Sequence, residues 1–174
     1  MRKTIEAERL KLRPLRCTDA AAISRFTSDP GVARMLGSVP LPNPVVAVEG
    51  WMMILKARAH LGSDYVYVME AFGDLVGVIG AHTRGAGYEL GYWVGRPFWN
   101  MGFATEAARA VAGEARASLG GIEASHYLDN PASGRVLEKA GFVYTGDVQP
   151  RFSLARGEHV DTRIMTLGAA ALAA

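Results

Sequence analysis

Along this chain the spacing of apolar positions changes repeatedly, and each change marks a new element. Leu10, Leu12 and Leu15 alternate with Lys11 and Arg13, which predicts a half-buried first strand stopping near Pro14. Thr18 or Asp19 can cap a short helix that covers Ala20 to Phe26 and ends before Pro30 and Gly31. Three prolines between Pro40 and Pro44 form a rigid connector. Val45 to Leu61 then has the length and composition of a second helix, with Trp51, Ile54, Leu55 and Leu61 expected mostly in the core. Asp64 to Ala71 and Leu75 to Thr83 are β-rich runs joined at Phe72, Gly73 and Asp74, a hairpin, and Arg84 to Gly87 is a second turn.

The stretch from Tyr88 to Ala107, YELGYWVGRPFWNMGFATEA, organises the rest. Alternating aromatic and aliphatic residues carry a strand through Val94. Gly95, Pro97, Asn100 and Gly102 break it, and an alanine-rich helical spacing begins near Phe103. A loop that enters a helix at a glycine can seat phosphate, because the first helical N–H groups lack internal partners and the helix dipole makes them positive. Phe103, Ala107, Ala110, Val111 and Leu119 share one face of that helix, which should stop at Gly120 and Gly121. Ile122 to Tyr127 is short and β-like, so a crossover packed on a sheet is expected. Asn130 as N-cap, Pro131 in the first turn and Gly141 past the end delimit another short helix. Phe142 to Val148 and Val160 to Leu167 close the chain as two antiparallel strands around a polar loop. Residues 1–168 are expected to form a single domain, and the GAAALAA end to be frayed.

Composition narrows the class. A chain of 174 residues, 49% apolar and 21% charged, is that of an ordinary globular domain able to bury a core. No apolar run reaches the roughly 18 residues of a membrane helix. Charge recurring from Arg2 through Arg16 leaves no signal-peptide pattern, so no membrane partner and a cytoplasmic location are expected. Cys17 stands alone, which rules out an internal disulfide and suggests an inert packed thiol. The net charge of +2 is spread out, giving no nucleic-acid footprint. The basic N-terminal residues, Arg9 among them, could help hold an anionic cofactor or form a solvated face. His60, His82, His126 and His159 show no ligand spacing, so no metal is expected. Sequence leaves a homodimer open, since an exposed edge suited to pairing reads like a covered one.

The order of elements, the segment WNMGFATEA and the later NPASGRVLEKAGF together resemble the GCN5-related N-acetyltransferase (GNAT) superfamily, in the branch similar to ribosomal-protein N-terminal alanine acetyltransferases. The resemblance spans nearly the whole chain, from EAERLKLRPL through VGVIGAH and YELGYWVG to the final strands. It implies an α/β (α+β) fold: a mixed, mostly antiparallel, twisted sheet of about six to seven strands with about four helices, splayed at the cofactor site. WNMGFATEA takes the place of the acetyl-CoA loop, with Gly102 and Ala104 matching the pattern. Trp99 replaces the family's Gln or Arg, as is common in this branch, and Asn100 stands where glycine is usual.

That resemblance implies acetyl-CoA as cosubstrate, its pyrophosphate held by backbone N–H groups of about Met101, Gly102, Phe103, Ala104 and Thr105. The pantetheine arm would lie along the strand near Tyr92, Trp93 and Val94, where Tyr92 and Trp93 can equally be core. Asn130, Ser133 and Arg135 belong beside the cofactor, although Asn130 can be a cap and Arg135 an exposed helical side chain. Glu89 is the candidate general base that deprotonates the attacking amine, unless it faces outward; alternation does not say which way it points. Leu137 occupies the place of the family's tyrosine acid, leaving Ser133, a water or no acid to protonate the thiolate. Glu106 reads as structural, in the first helical turn. The acceptor walls would come from Ala33 to Leu61 and the loop near Pro150 to His159. They leave open a protein N-terminus, a polyamine, an amino acid or an antibiotic amine, with a noncatalytic acyl-CoA-binding module as the competing class.

Overall fold

The computed structural model describes residues 1–167. The chain opens with two short strands, β1 (Ile5–Glu6) and β2 (Lys11–Arg13), followed by helices α1 (Ala20–Thr27), α2 (Pro30–Ala33) and α3 (Val45–His60). Strands β3 (Asp64–Ala71), β4 (Asp74–Arg84) and β5 (Gly87–Val94) form a meander. After it come α4 (Phe103–Ser118), β6 (Ile122–Tyr127), α5 (Pro131–Lys139), β7 (Val143–Ser153) and β8 (Glu158–Leu167). One eight-stranded sheet runs in the order β1-β2-β3-β4-β5-β6-β8-β7. Every neighbouring pair is antiparallel except β5 and β6, the parallel pair that the α4 crossover requires. The expected fold class holds, with eight strands rather than six or seven and five α-helices rather than four.

Residue chemistry explains these elements. At the β3–β4 turn Phe72 (φ 56°) and Gly73 (φ 84°) are both left-handed, as a two-residue hairpin of the primed type demands. Helix α1 ends at Thr27, before Pro30 as expected, and Pro30 then opens α2 at the first helical position, with the Asp29 carboxylate accepting a hydrogen bond from Gly31 N at 2.7 Å. Asn130 caps α5 as its position predicted, accepting from Ser133 N. Strand β7 runs to Ser153 rather than Val148, and β8 begins at Glu158 rather than Val160. The polar alternation from Gln149 onward continues the hairpin, and the region expected to be a loop from Pro150 to His159 is mostly paired strand.

Helices cover both faces. Phe103, Ala107, Ala108, Val111, Ala112 and Ala115 of α4, with Leu137 of α5, pack on Leu90 and Val94 and on the inward residues of β4, β6 and β8. On the other face Ala20, Ile23 and Phe26 of α1 and Val48 of α3 pack on Val68, Leu75 and Val78. Two sequence expectations fail here. In α3 Leu55 is buried, whereas Ile54 (56% exposed) and, just past the helix end, Leu61 (81%) face outward with Val46 and Met53. The helix is apolar around most of its circumference, so periodicity could not mark its buried side. Cys17, expected to be packed, is exposed in the turn before α1. The GAAALAA tail lies outside the described residues.

Candidate functional site

Strands β5 and β6 touch through two register pairs only, Glu89 with Glu123 and Leu90 with Ala124. Beyond them β5 continues through Gly91 to Val94 without β6 as partner, while β6 stays paired with β8 through Tyr127. The sheet therefore parts into a fork, with α4 beginning beyond the open end of β5. Alternation along β5 places Leu90, Tyr92 and Val94 toward α4 and α5, and Glu89 and Trp93 toward α1 and α3.

The loop at the fork's mouth is fixed by three devices. Asn100 (φ 62°) and Gly102 (φ 82°) both adopt the left-handed conformation and bracket Met101. Asparagine is among the non-glycine residues that tolerate this region best, which explains how it stands in a glycine's place. Trp99 donates its indole N–H to Val94 O at 2.7 Å, tying the loop to the strand and occupying one of the backbone groups expected to face pantetheine. Arg9 donates from Nε to Glu106 at 2.9 Å and from Nη1 to Met101 O at 2.9 Å. The Arg9 and Leu10 backbone N–H groups also donate to Glu106. Glu106 is thus structural, as expected, and Arg9 is a clamp that sequence reading left in a general basic face.

No side chain caps α4, whose N-cap is Gly102. The N–H groups of Phe103, Ala104 and Thr105 therefore remain open to an anion. The Phe103 side chain is core, Ala104 and Thr105 are half-buried, and Met101 and Gly102 are exposed. An uncapped helix start of this kind is an arrangement that can hold an anion such as a pyrophosphate.

Across the fork, Ser133 Oγ lies 2.7 Å from Tyr92 Oη, which is also 3.2 Å from Ser133 O. Burial pushes the Tyr92 phenol up to about 12, so it stays protonated. Leu137 is fully buried in the core and lines nothing. A phenol nevertheless reaches this helix, from β5 rather than from α5. Asn130 is half-buried, and Arg135 is exposed.

Glu89 faces the α1/α3 side, which alternation had left undecided. Oε1 accepts from Ser125 Oγ at 2.7 Å and from Arg151 Nη1, and Oε2 accepts from Arg84 Nη1 at 2.8 Å. Burial pushes this carboxyl up, but the hydrogen bonds from Ser125 and Arg151 and the charges of Arg151 and Arg84 outweigh it. Glu89 sits below the usual carboxylate range. Arg151 escaped the sequence reading because its strand was taken for loop. Ser125 carried no signal beyond its place in a short strand.

Two shallow clefts, about 320 Å³ beside Arg9 and Phe72 and about 390 Å³ beside Phe26 and Arg96, include none of Glu89, Tyr92 or Ser133 in their linings. Among the described residues no cluster of three or more His, Cys, Asp or Glu could hold a metal, and no helix is long and apolar enough to cross a membrane.

Comparison with known proteins agrees with this fold. Residues 9–143 match the family model of the acetyltransferase (GNAT) domain. An uncharacterized N-acetyltransferase of Bacillus subtilis, YoaA, is 30% identical, covering 94% of this chain and 95% of its own. The uncharacterized N-acetyltransferase p20 of Bacillus licheniformis is 26% identical, covering 95% and 96%. The structure of Mycobacterium smegmatis RimJ in complex with CoA-disulfide superposes with a TM-score of 0.84 at 26% identity, covering 98% of this chain and 90% of that one.

Proposed function

Since this chain belongs to the GNAT acetyltransferase family, we propose that it moves the acetyl group of acetyl-CoA to the α-amine of a protein N-terminus, by direct attack in a ternary complex. The observation that carries this reading is the parted sheet, with the uncapped start of α4 beyond its open end and Glu89 at its base. The acceptor class is supported by the likeness of the motifs to the N-terminal alanine acetyltransferase branch and by the likeness to RimJ.

The residues divide the work. Backbone N–H groups from Met101 to Thr105 hold the pyrophosphate, and Gly102 and Ala104 let it approach. Tyr92, Trp93 and Val94 line the arm on one side; Asn130 and Ser133 face it from α5, with Arg135 available to an outer phosphate. The amine nitrogen bonds the acetyl carbon as the carbon–sulfur bond breaks, and the departing sulfur takes a proton. Ser133, hydrogen-bonded to the protonated Tyr92, supplies it. The amine's surplus proton goes to Glu89 or through a water beside it. A carboxylate held ionised by two arginines accepts protons weakly, so Glu89 acts as much by attracting the ammonium as by basicity.

The test is CoA release from acetyl-CoA with N-terminal peptides, polyamines, amino acids and aminoglycosides. Release with peptides is expected; acetyl-CoA binding without release from any amine would make the chain a noncatalytic binder. Glu89→Gln should lower turnover with acetyl-CoA affinity retained, and unchanged turnover at every pH would remove Glu89 from the mechanism.

A further inference from the structure

Helix α3 gives only one side to the protein. Val48 and Leu55 are buried and Trp51 and Met52 half-buried, while every other residue from Val45 to His60 is exposed. Val46 (72% exposed) and Met53 (74%) stand at the centre of the outward side. At about 3.6 residues per turn, Val46, Gly50, Met53, Ala57 and His60 form one line pointing away from Val48 and Leu55. Steps of four and three along that line are those of a seam between two helices, and here large Val46 and Met53 alternate with small Gly50 and Ala57.

Nothing inside the chain accounts for Gly50. Its position is mid-helix, and a Cβ there would meet no atom within 4 Å. Glycine weakens a helix interior relative to alanine, so its presence on an open face runs against the stability of the monomer. A missing side chain on that face does serve a second helix, which can then pack closely against the backbone.

The charges identify the second helix. Glu49 and Lys56 flank the line on one side, Ala47 and Ile54 on the other. Neither Glu49 nor Lys56 has an ion-pair partner among the described residues. In an antiparallel pair about a two-fold axis, like flanks face each other. With Val46 seated on Ala57 of a second copy and Met53 on its Gly50, each large residue meets a small one. The same register brings Glu49 against Lys56 of the second copy, and the two-fold axis repeats the contact. Sliding the copies by one heptad would set Lys56 against Lys56, and a parallel pair would lay the charged flank on the apolar one.

We infer that the outward face of α3 binds a second copy of this chain, the two α3 helices crossing antiparallel along Val46, Gly50, Met53 and Ala57. A helix of 16 residues is about 24 Å long, so the interface is small beside that of a permanent dimer and the association is reversible. The other exposed apolar strip, the outer edge of β7, is blunted against strand pairing by the register shift between Tyr144 and Val148 and by Pro150.

Analytical ultracentrifugation of the whole chain, from micromolar to submillimolar concentration, tests this. Wild type is expected to pass from monomer to dimer. Gly50→Gln puts a good helix former into open space, so the dilute monomer should melt no lower than wild type. The dimer dissociation constant should rise by about tenfold or more as the seam fills. Glu49→Lys exchanges two attractions for two repulsions and should also weaken the dimer by about tenfold. Adding Lys56→Glu to it should restore the constant to within about threefold of wild type, a rescue that adventitious sticking of an apolar helix would not give.

A chain that stays monomeric at submillimolar concentration overturns the inference, and pelleting with phosphatidylglycerol vesicles would then assign the face to a lipid surface. A dimer indifferent to Gly50→Gln also overturns it and moves the contact elsewhere, to the β7 edge first. Failure of the charge exchange to rescue Glu49→Lys sinks the antiparallel pairing.

Discussion

At Asn100 a single backbone angle decides whether the loop before α4 can form. With φ at 62° the residue sits where a β-branched side chain is strained by roughly 1–2 kcal/mol, while glycine sits freely. Asn100→Gly should leave the acetyl-CoA KM within about twofold of wild type, and Asn100→Val should raise it severalfold, as read by steady-state kinetics. Asp19 shows the same dependence on one group, in the core. Its carboxylate is 7% exposed and accepts two hydrogen bonds from the equally buried Arg13, each 2.9 Å. Burial pushes Asp19 up, but Arg13 and the Arg16 backbone N–H outweigh it, so its folded value lies below the ordinary one. A depressed carboxylate stabilises the fold fully above its unfolded pKa, near 4, and loses that contribution as pH falls through the folded value. Arg13 keeps its ion pair with Glu70, so Asp19→Ala should cost about 1–3 kcal/mol in urea denaturation at neutral pH and flatten the acid limb of stability below about pH 4.

Helix α5 shows how elements meet around one glycine. A Cβ at Gly134 would lie 2.5 Å from Tyr144 Oη and 2.8 Å from His126 Nε2, two groups themselves 3.1 Å apart. Gly134→Ala should therefore push α5 off β6 and β7, costing about 1–3 kcal/mol in chemical denaturation. Because Ser133 moves with it, acetyl-CoA KM should rise as well. The boundaries of this helix were legible, since Asn130, Pro131 and Gly141 are local signals whose physics needs no tertiary partner. The same holds for β6 and for the entry to α4. What stayed unread depended on partners distant in sequence. The direction of Glu89 is settled by its bonds to Ser125 and Arg151. The outward face of α3 is set by what the sheet leaves uncovered, and the length of β7 by its pairing with β8. Tyr92 offers a phenol to Ser133 from another strand, which no spacing within α5 could announce.

Across the molecule, the tip of the β7–β8 hairpin is laced to the segment after α2. Leu154 N donates to Gly37 O and Ser153 Oγ to Leu36 O, and Arg156 reaches both Arg34 O and Asp129. Arg156→Ala should loosen this strap, raising amide exchange over residues 34–37 and, as the proposed acceptor walls require, the acceptor KM while acetyl-CoA KM holds. An unchanged acceptor KM would mean that the strap stabilises without shaping the site. The fork in the sheet has a consequence of a different kind. Two register pairs are a weak backbone seam across an eight-stranded sheet, bridged by the core under α4, and β1–β5 and β6–β8 are expected to open as separate subglobal units. A ligand spanning the seam would fuse them: at acetyl-CoA about 100 times its Kd, protection should rise by about 2.7 kcal/mol in each unit that binding requires to be closed. Native-state hydrogen exchange would then show one cooperative body where the free protein shows two, and a single opening free energy in the free protein would deny the seam that role.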